Sequence, residues 1–191
     1  MGITAKTGDD GYTYLLDGRR LRKDHPIAEC LGTLDELNAF LGDAKAALGA
    51  TDCGVYISGI ITGIQKDLFL VMGILAGMPV PEEGPDAERL NRLIDELEAG
   101  LPPFTSFVIP GANPASAKLH IARTVCRRAE RRLIALNGET GPTEQAMPAK
   151  QAQSAMQTGA AAQTGAVIPY INRLSDLLFL LARKAEYKRK N

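Results

Sequence analysis

The sequence predicts an all-α fold, an antiparallel five-helix bundle with an ordered N-terminal loop. Apolar residues recur at steps of three and four in five segments, glycines and prolines punctuate those segments, and no comparable run alternates apolar with polar residues. Amphipathic helices on short connections bury their stripes against one another. The 191 residues suit one domain, because single cores usually run to about 100 to 200 residues.

Residues 1–26 are rich in Gly, Asp, Thr and Lys without a helical period, as in an ordered loop or short hairpin. The first helix starts at Ile27, with Leu31, Leu34, Leu37, Leu41, Ala44 and Leu48 on its stripe, and Gly49 ends it. A second stripe runs Ile57, Ile61, Ile64, Leu68, Val71, Leu75 and Met78, and Pro79 is expected to stop it. Pro85 and Asp86 open a short third helix around Leu90, Leu93, Ile94 and Leu97. Asn113 can cap a fourth that begins at Pro114, buries Leu119, Ala122, Cys126, Ala129, Leu133 and Leu136, and closes at Gly138. Residues 139–168, biased to Ala, Gln, Gly and Thr, are expected to form a flexible insertion. Pro169 then starts the fifth helix, carrying Ile171, Leu174, Leu178, Leu181 and Ala185 inward to about residue 190.

The balance of 22 basic and 22 acidic residues offers no net field for nucleic acid or an acidic membrane. Three cysteines without CxxC spacing argue against a disulfide framework or structural zinc and for a reducing cytoplasm. The N-terminus lacks the apolar core of a signal peptide, and the apolar run 68–80 is shorter than the roughly 20 residues that span a bilayer. No membrane association is expected.

Polar residues concentrate in four places. The fourth helix packs Arg123, Arg127, Arg128, Arg131 and Arg132 around Glu130. Arg123, Arg127, Glu130 and Arg131 share a face, and guanidinium forks suit polyphosphate oxygens, although a solvated row of salt bridges fits the same spacing. The fifth helix sets Asn172, Ser175, Asp176, Phe179 and Arg183 opposite its leucines, and Asn172 can meet a base or ribose edge. Asp35 lies between Gly32 and Asn38 and would need a cation if buried. The opening KTGDDGYT groups Lys6, Thr7, Gly8 and Thr13, donors that can surround phosphates, but it is no Walker loop, and by itself it reads more readily as a plain Asp-Asp-Gly turn. His25 and His120 are isolated, so a di-iron site is disfavoured and His120 reads as a packing or surface residue.

Four segments in order, AKTGDDGYT, GTLDELNAFLG, FVIPGANPASAKLHIARTVCRRAERR and YINRLSDLLFLLAR, resemble the PduO-type ATP:cob(I)alamin adenosyltransferases. The resemblance implies transfer of the 5'-deoxyadenosyl group of ATP to cob(I)alamin, with triphosphate released. It implies a homotrimer that binds ATP and corrinoid at subunit interfaces, with Mg2+ on the phosphates and a reductase supplying electrons. Lys6, Thr7, Gly8, Thr13 and Lys23 would wrap the triphosphate, and Arg127, Arg128, Glu130, Arg131 and Asn172 would complete the nucleotide pocket. Asp35, Arg123 and Arg127 would serve catalysis. Phe107 would exclude the lower axial ligand of cobalt, with Asp176 and Phe179 beside the corrinoid. The stretch between Arg132 and Asn172 is longer than the family's connection. The alternative is a helical module that binds nucleotide or polyphosphate without catalysis.

Overall fold

The computed structural model describes residues 8–103, 106–138 and 154–187. A two-stranded antiparallel hairpin, β1 (Tyr12–Tyr14) and β2 (Arg20–Arg22), pairs Thr13 with Leu21. Five helices follow: α1 (Pro26–Ala46), α2 (Asp52–Leu75), α3 (Ala87–Gly100), α4 (Pro114–Gly138) and α5 (Ser154–Glu186). They form the expected helix bundle. Helix α4 packs between α1 and α5, and α5 also meets α2 and α3.

Side chains satisfy the amides that helix starts leave open. His25 Nδ1 accepts the Ile27 N–H at 3.1 Å, Thr51 Oγ1 accepts that of Gly54 at 3.1 Å, and Asp86 Oδ1 accepts that of Arg89 at 2.8 Å. At α4, Asn113 Oδ1 accepts the Ser116 N–H at 2.9 Å, as the sequence predicts.

Helix α2 ends at Leu75, ahead of Pro79. Gly77 takes a φ of 102°, its N–H bonds the Ile74 carbonyl, and the Met78 N–H bonds that of Gly73, which together make a Schellman cap. The Leu16 N–H then bonds the Ala76 carbonyl at 2.9 Å. A Cβ on Gly77 would come within 2.3 Å of Asp17, so the bend needs glycine for its φ and for its contact with the hairpin turn. This cap fastens the hairpin to the bundle.

Helix α5 corrects the expected start at Pro169. It begins at Ser154, so 154–168 is helix, and Pro169 lies inside it. Ala160, Ala161 and Ala162 favour helix, and burial of Val167, Tyr170, Ile171 and Leu174 offsets the hydrogen bond that Pro169 cannot make. Residues 139–153, the rest of the expected insertion, lie outside the described residues.

The core is continuous from Ile27 on α1 to Ala182 on α5. Tyr170, fully buried, donates to Asp67 Oδ2 at 2.7 Å, and Arg89 pairs with the same carboxylate, joining α2, α3 and α5. Burial, with that bond to Asp67, pushes the Tyr170 phenol far up. Among the described residues α2 is the one helix long and apolar enough to cross a membrane, but its Ile57, Ile61, Ile64, Leu68 and Val71 are buried in the core.

Candidate functional site

The arginines of α4 divide into two rows, because residues four apart stack along one line of a helix and neighbouring residues turn away by about 100°. Arg128 and Arg132 face α1. Arg128 ion-pairs with Glu36, and Arg132 bonds Thr33, the Glu29 carbonyl at 2.9 Å and the Glu29 carboxylate at 3.0 Å. Arg128, expected at the nucleotide, is therefore engaged in holding α4 to α1. Arg123, Arg127 and Arg131 form the second row. Arg127 and Arg131 are exposed, and Arg131 Nη1 donates to the Arg127 carbonyl at 3.3 Å. Glu130 beside them accepts from Asn172 Nδ2 at 2.6 Å, so α4 and α5 meet through the polar residues singled out on both.

Two adjoining clefts open along this row and share Arg123 and Phe179. The smaller, about 310 Å³, lies among Arg123, Arg127, Ser175, Asp176 and Phe179, with Ile94 and Glu98 of α3 on its rim. The larger, about 580 Å³, lies among Phe107, Val108, Pro110, His120, Arg123 and Phe179. The smaller carries two guanidinium groups and a hydroxyl, with the carboxylates of Asp176 and Glu98 beside them, and the larger mostly aromatic and aliphatic groups, so together they suit a ligand pair with an anionic part held by the arginines and a broad apolar part. Phe107 is 101% exposed and Ile109 86% exposed, an uncovered apolar edge at the mouth of the larger cleft.

His120 is buried at 4% exposure, its ring 6.0 Å from that of Phe179. Among the described residues neither ring nitrogen has a hydrogen-bond partner, nor does the buried Nε of Arg123. Burial, with the Arg123 charge, holds the imidazole below its ordinary value. Sequence reasoning assigned His120 no place in the site. Its position one turn before Arg123 on α4 is the one signal the sequence carries for it, and Ile94 and Glu98 carry none, because they reach the cleft through packing of α3 on α5.

The N-terminal residues gather elsewhere. Lys6 and Thr7 lie outside the described residues. The Lys23 N–H bonds the Gly11 carbonyl at 2.9 Å, and the Lys23 ammonium crosses Gly8 so closely that a Cβ there would be 3.0 Å from Nζ. Asp10 accepts the Tyr12 N–H at 3.1 Å and pairs with Arg20, and these contacts hold its carboxyl below the usual range. Thr13 lines a separate cleft of about 460 Å³ with Leu16, Leu31, Phe69 and Met72. Asp35 is exposed and, among the described residues, makes no hydrogen bond or ion pair; the chain does not itself pair it with Arg123. Asp176 pairs with Arg173 at 3.5 Å on the rim of the smaller cleft. No group of three His, Cys, Asp or Glu that could hold a metal occurs among the described residues.

A protein-family model described as cobalamin adenosyltransferase matches residues 3–185. The chain is 37% identical over 190 residues to the corrinoid adenosyltransferase PduO of Salmonella typhimurium, covering 96% of this chain and 49% of that protein. It is 38% identical over 192 residues to the corrinoid adenosyltransferase of Mycobacterium tuberculosis, covering 96% and 88%. Thus it spans about half the length of the PduO relatives of Citrobacter freundii and Salmonella typhimurium, and most of the mycobacterial one. A variant of the PduO-type ATP:corrinoid adenosyltransferase from Lactobacillus reuteri, complexed with cobalamin and ATP, superposes with a TM-score of 0.77 at 29% identity, covering 97% of this chain and 91% of that one.

Proposed function

The chain belongs to the PduO-type cobalamin adenosyltransferase family, and from that premise we propose that it transfers the 5'-deoxyadenosyl group of ATP to a cob(I)alamin-type corrinoid. The observation that carries this reading is the continuity of the Arg123–Arg127 cleft with the Phe107–Phe179 cleft. Anionic triphosphate suits the first, and the broad apolar face of a corrin suits the second.

In the reaction the cobalt lone pair attacks C5' of ATP. The cobalt–carbon bond forms as the C5'–oxygen bond breaks, and that electron pair leaves with triphosphate. The corrinoid supplies the nucleophile. The chain's task is to align it with C5' and to meet the charge growing on triphosphate. Arg127 and Arg131 bind phosphate oxygens, Glu130 and Asn172 hold that row in place, and Arg123 serves the transfer. Lys6, Thr7, Gly8, Thr13 and Lys23 wrap the triphosphate. Phe107 stands against the lower face of the corrin, where an aromatic ring excludes the axial base and water, with Phe179 and Asp176 beside it. Arg128 acts through Glu36, on the attachment of α4 to α1.

The site is completed by a neighbouring copy in a homotrimer. What supports this is the separation of the Thr13 cleft from the α4–α5 clefts, the unpaired Asp35, and the exposure of Phe107, Ile109, Leu16 and Phe69. Mg2+ would sit on the phosphates of ATP; among the described residues no group of three His, Cys, Asp or Glu offers it another place. A separate reductase brings cobalt to the reacting state. A reducing cytoplasm suits Cys30, Cys53 and Cys126, all unpaired.

Triphosphate release from ATP in the presence of reduced corrinoid tests the proposal. A binding module would retain ATP and release none.

A further inference from the structure

The segment that carries Phe107 leaves α3 at Leu101 and enters α4 at Asn113, and both ends are tied to the last turns of α5. Arg183 donates from Nη2 to the Pro102 carbonyl at 2.5 Å. Asn113 donates from Nδ2 to the Ala185 carbonyl at 3.0 Å, while its Oδ1 caps α4 through Ser116. The Ala185 carbonyl lies in the final turn of α5, where carbonyls lack the amides of a continuing helix, and Asn113 gives it a side-chain donor. Between the ties Phe107 is wholly exposed, Ile109 is 86% exposed and, among the described residues, only Val108 is half-buried, so side-chain burial holds this stretch weakly. Phe179, the facing wall of the larger cleft, sits one turn before Arg183 on the same helix. One helix thus carries Phe179 and the α5 partner of each tie.

We infer that Arg183 and Asn113 are positioning residues for Phe107, setting the gap between Phe107 and Phe179 into which a planar corrinoid face enters. The ties themselves are independent of any reaction; their consequence for corrinoid rests on the adenosyl-transfer reading. Neither residue touches the substrate in this account.

The chain contains no tryptophan, so Phe107→Trp introduces a single fluorophore at the tied segment. In the ligand-free Phe107→Trp protein, adding Arg183→Ala or Asn113→Asp should lower the residual fluorescence anisotropy of the indole. Asn113→Asp keeps the capping oxygen and puts a charged carboxylate oxygen in place of the donor, so it breaks the tie without removing the cap and reports it even where Arg183→Ala fails to fold. With Phe107 retained, the same two changes should raise the KM for corrinoid about fivefold or more and leave that for ATP within about twofold. Arg183→Lys, which can still donate to one carbonyl, should recover most of the loss. Unchanged anisotropy in both variants overturns the tie. Faster motion with an unchanged corrinoid KM, or an equal rise in both KM values, overturns the positioning role. If the unaltered chain transfers no adenosyl group, the functional reading falls, and the anisotropy still decides the tie.

Discussion

Asn172 on α5 donates a 2.6 Å hydrogen bond to the Glu130 carboxylate on α4, between the exposed guanidinium groups of Arg127 and Arg131. A bond to a charged acceptor contributes more than a neutral one, and this one crosses the groove at the proposed nucleotide site. Asn172→Ala should therefore cost about 1 to 2 kcal/mol in stability and raise the KM for ATP about tenfold. Thermal unfolding and initial rates check both. Wild-type kinetics for ATP would remove Asn172 from the nucleotide site.

Gly8 lets the Lys23 ammonium pass over the N-terminal loop. In Gly8→Ala the new methyl group displaces that flexible side chain, which costs the fold little but misplaces a proposed phosphate contact. The melting temperature should move by no more than about 2 °C, while the KM for ATP rises at least about threefold with that for corrinoid unchanged. A larger effect on corrinoid would detach the loop from ATP.

Asp35 and Arg123 do not pair within one chain: the Asp35 carboxylate is exposed, and among the described residues the buried Nε of Arg123 has no hydrogen-bond partner. Pairing between neighbouring copies would satisfy both with charge-assisted hydrogen bonds. Asp35→Arg and Arg123→Asp should each lower kcat/KM at least about a hundredfold, and the double exchange should recover part of that loss. Strictly additive losses would show that the two side chains do not interact.

His120 is buried with its imidazole held below the ordinary value of 6.5, chiefly by burial. The unfolded chain takes up a proton there as pH falls through about 6.5, while the folded chain takes it up only at lower pH. Stability from the neutral ring is therefore complete above that value and is lost as pH falls from it toward the folded value. Between about pH 7.5 and about pH 5.5 the melting temperature of the parent should fall a few degrees more than that of His120→Gln. Parallel curves would contradict the buried neutral ring.

Much of this molecule is legible in its sequence because helical stripes and caps are local signals. The stripe of α4 ends up buried, as does that of α1 apart from half-buried Leu31 and Leu48, and Asn113 caps α4 as its position before Pro114 predicts. The start of α5 is not legible, since Pro169 looks like a beginning, whereas the packing of Tyr170 between α2 and α3 carries the helix through it. Five arginines on one helix likewise read as a single patch. Their division depends on which neighbour each row meets, and only the packing of α1 on one side and α5 on the other separates Arg128 and Arg132 from Arg123, Arg127 and Arg131. Arg183 and Asn113 are visible as residues but not as ties, because each bond joins positions at least 72 residues apart.

The most direct test of the adenosyl-transfer account is anaerobic addition of ATP to the chain with chemically reduced cob(I)alamin, following the corrinoid spectrum and triphosphate together. The account predicts loss of the cob(I)alamin spectrum, growth of a light-sensitive adenosylcobalamin spectrum, and one triphosphate released per cobalt–carbon bond formed. ATP that binds and leaves the cob(I)alamin spectrum unchanged, with no triphosphate released, would contradict it.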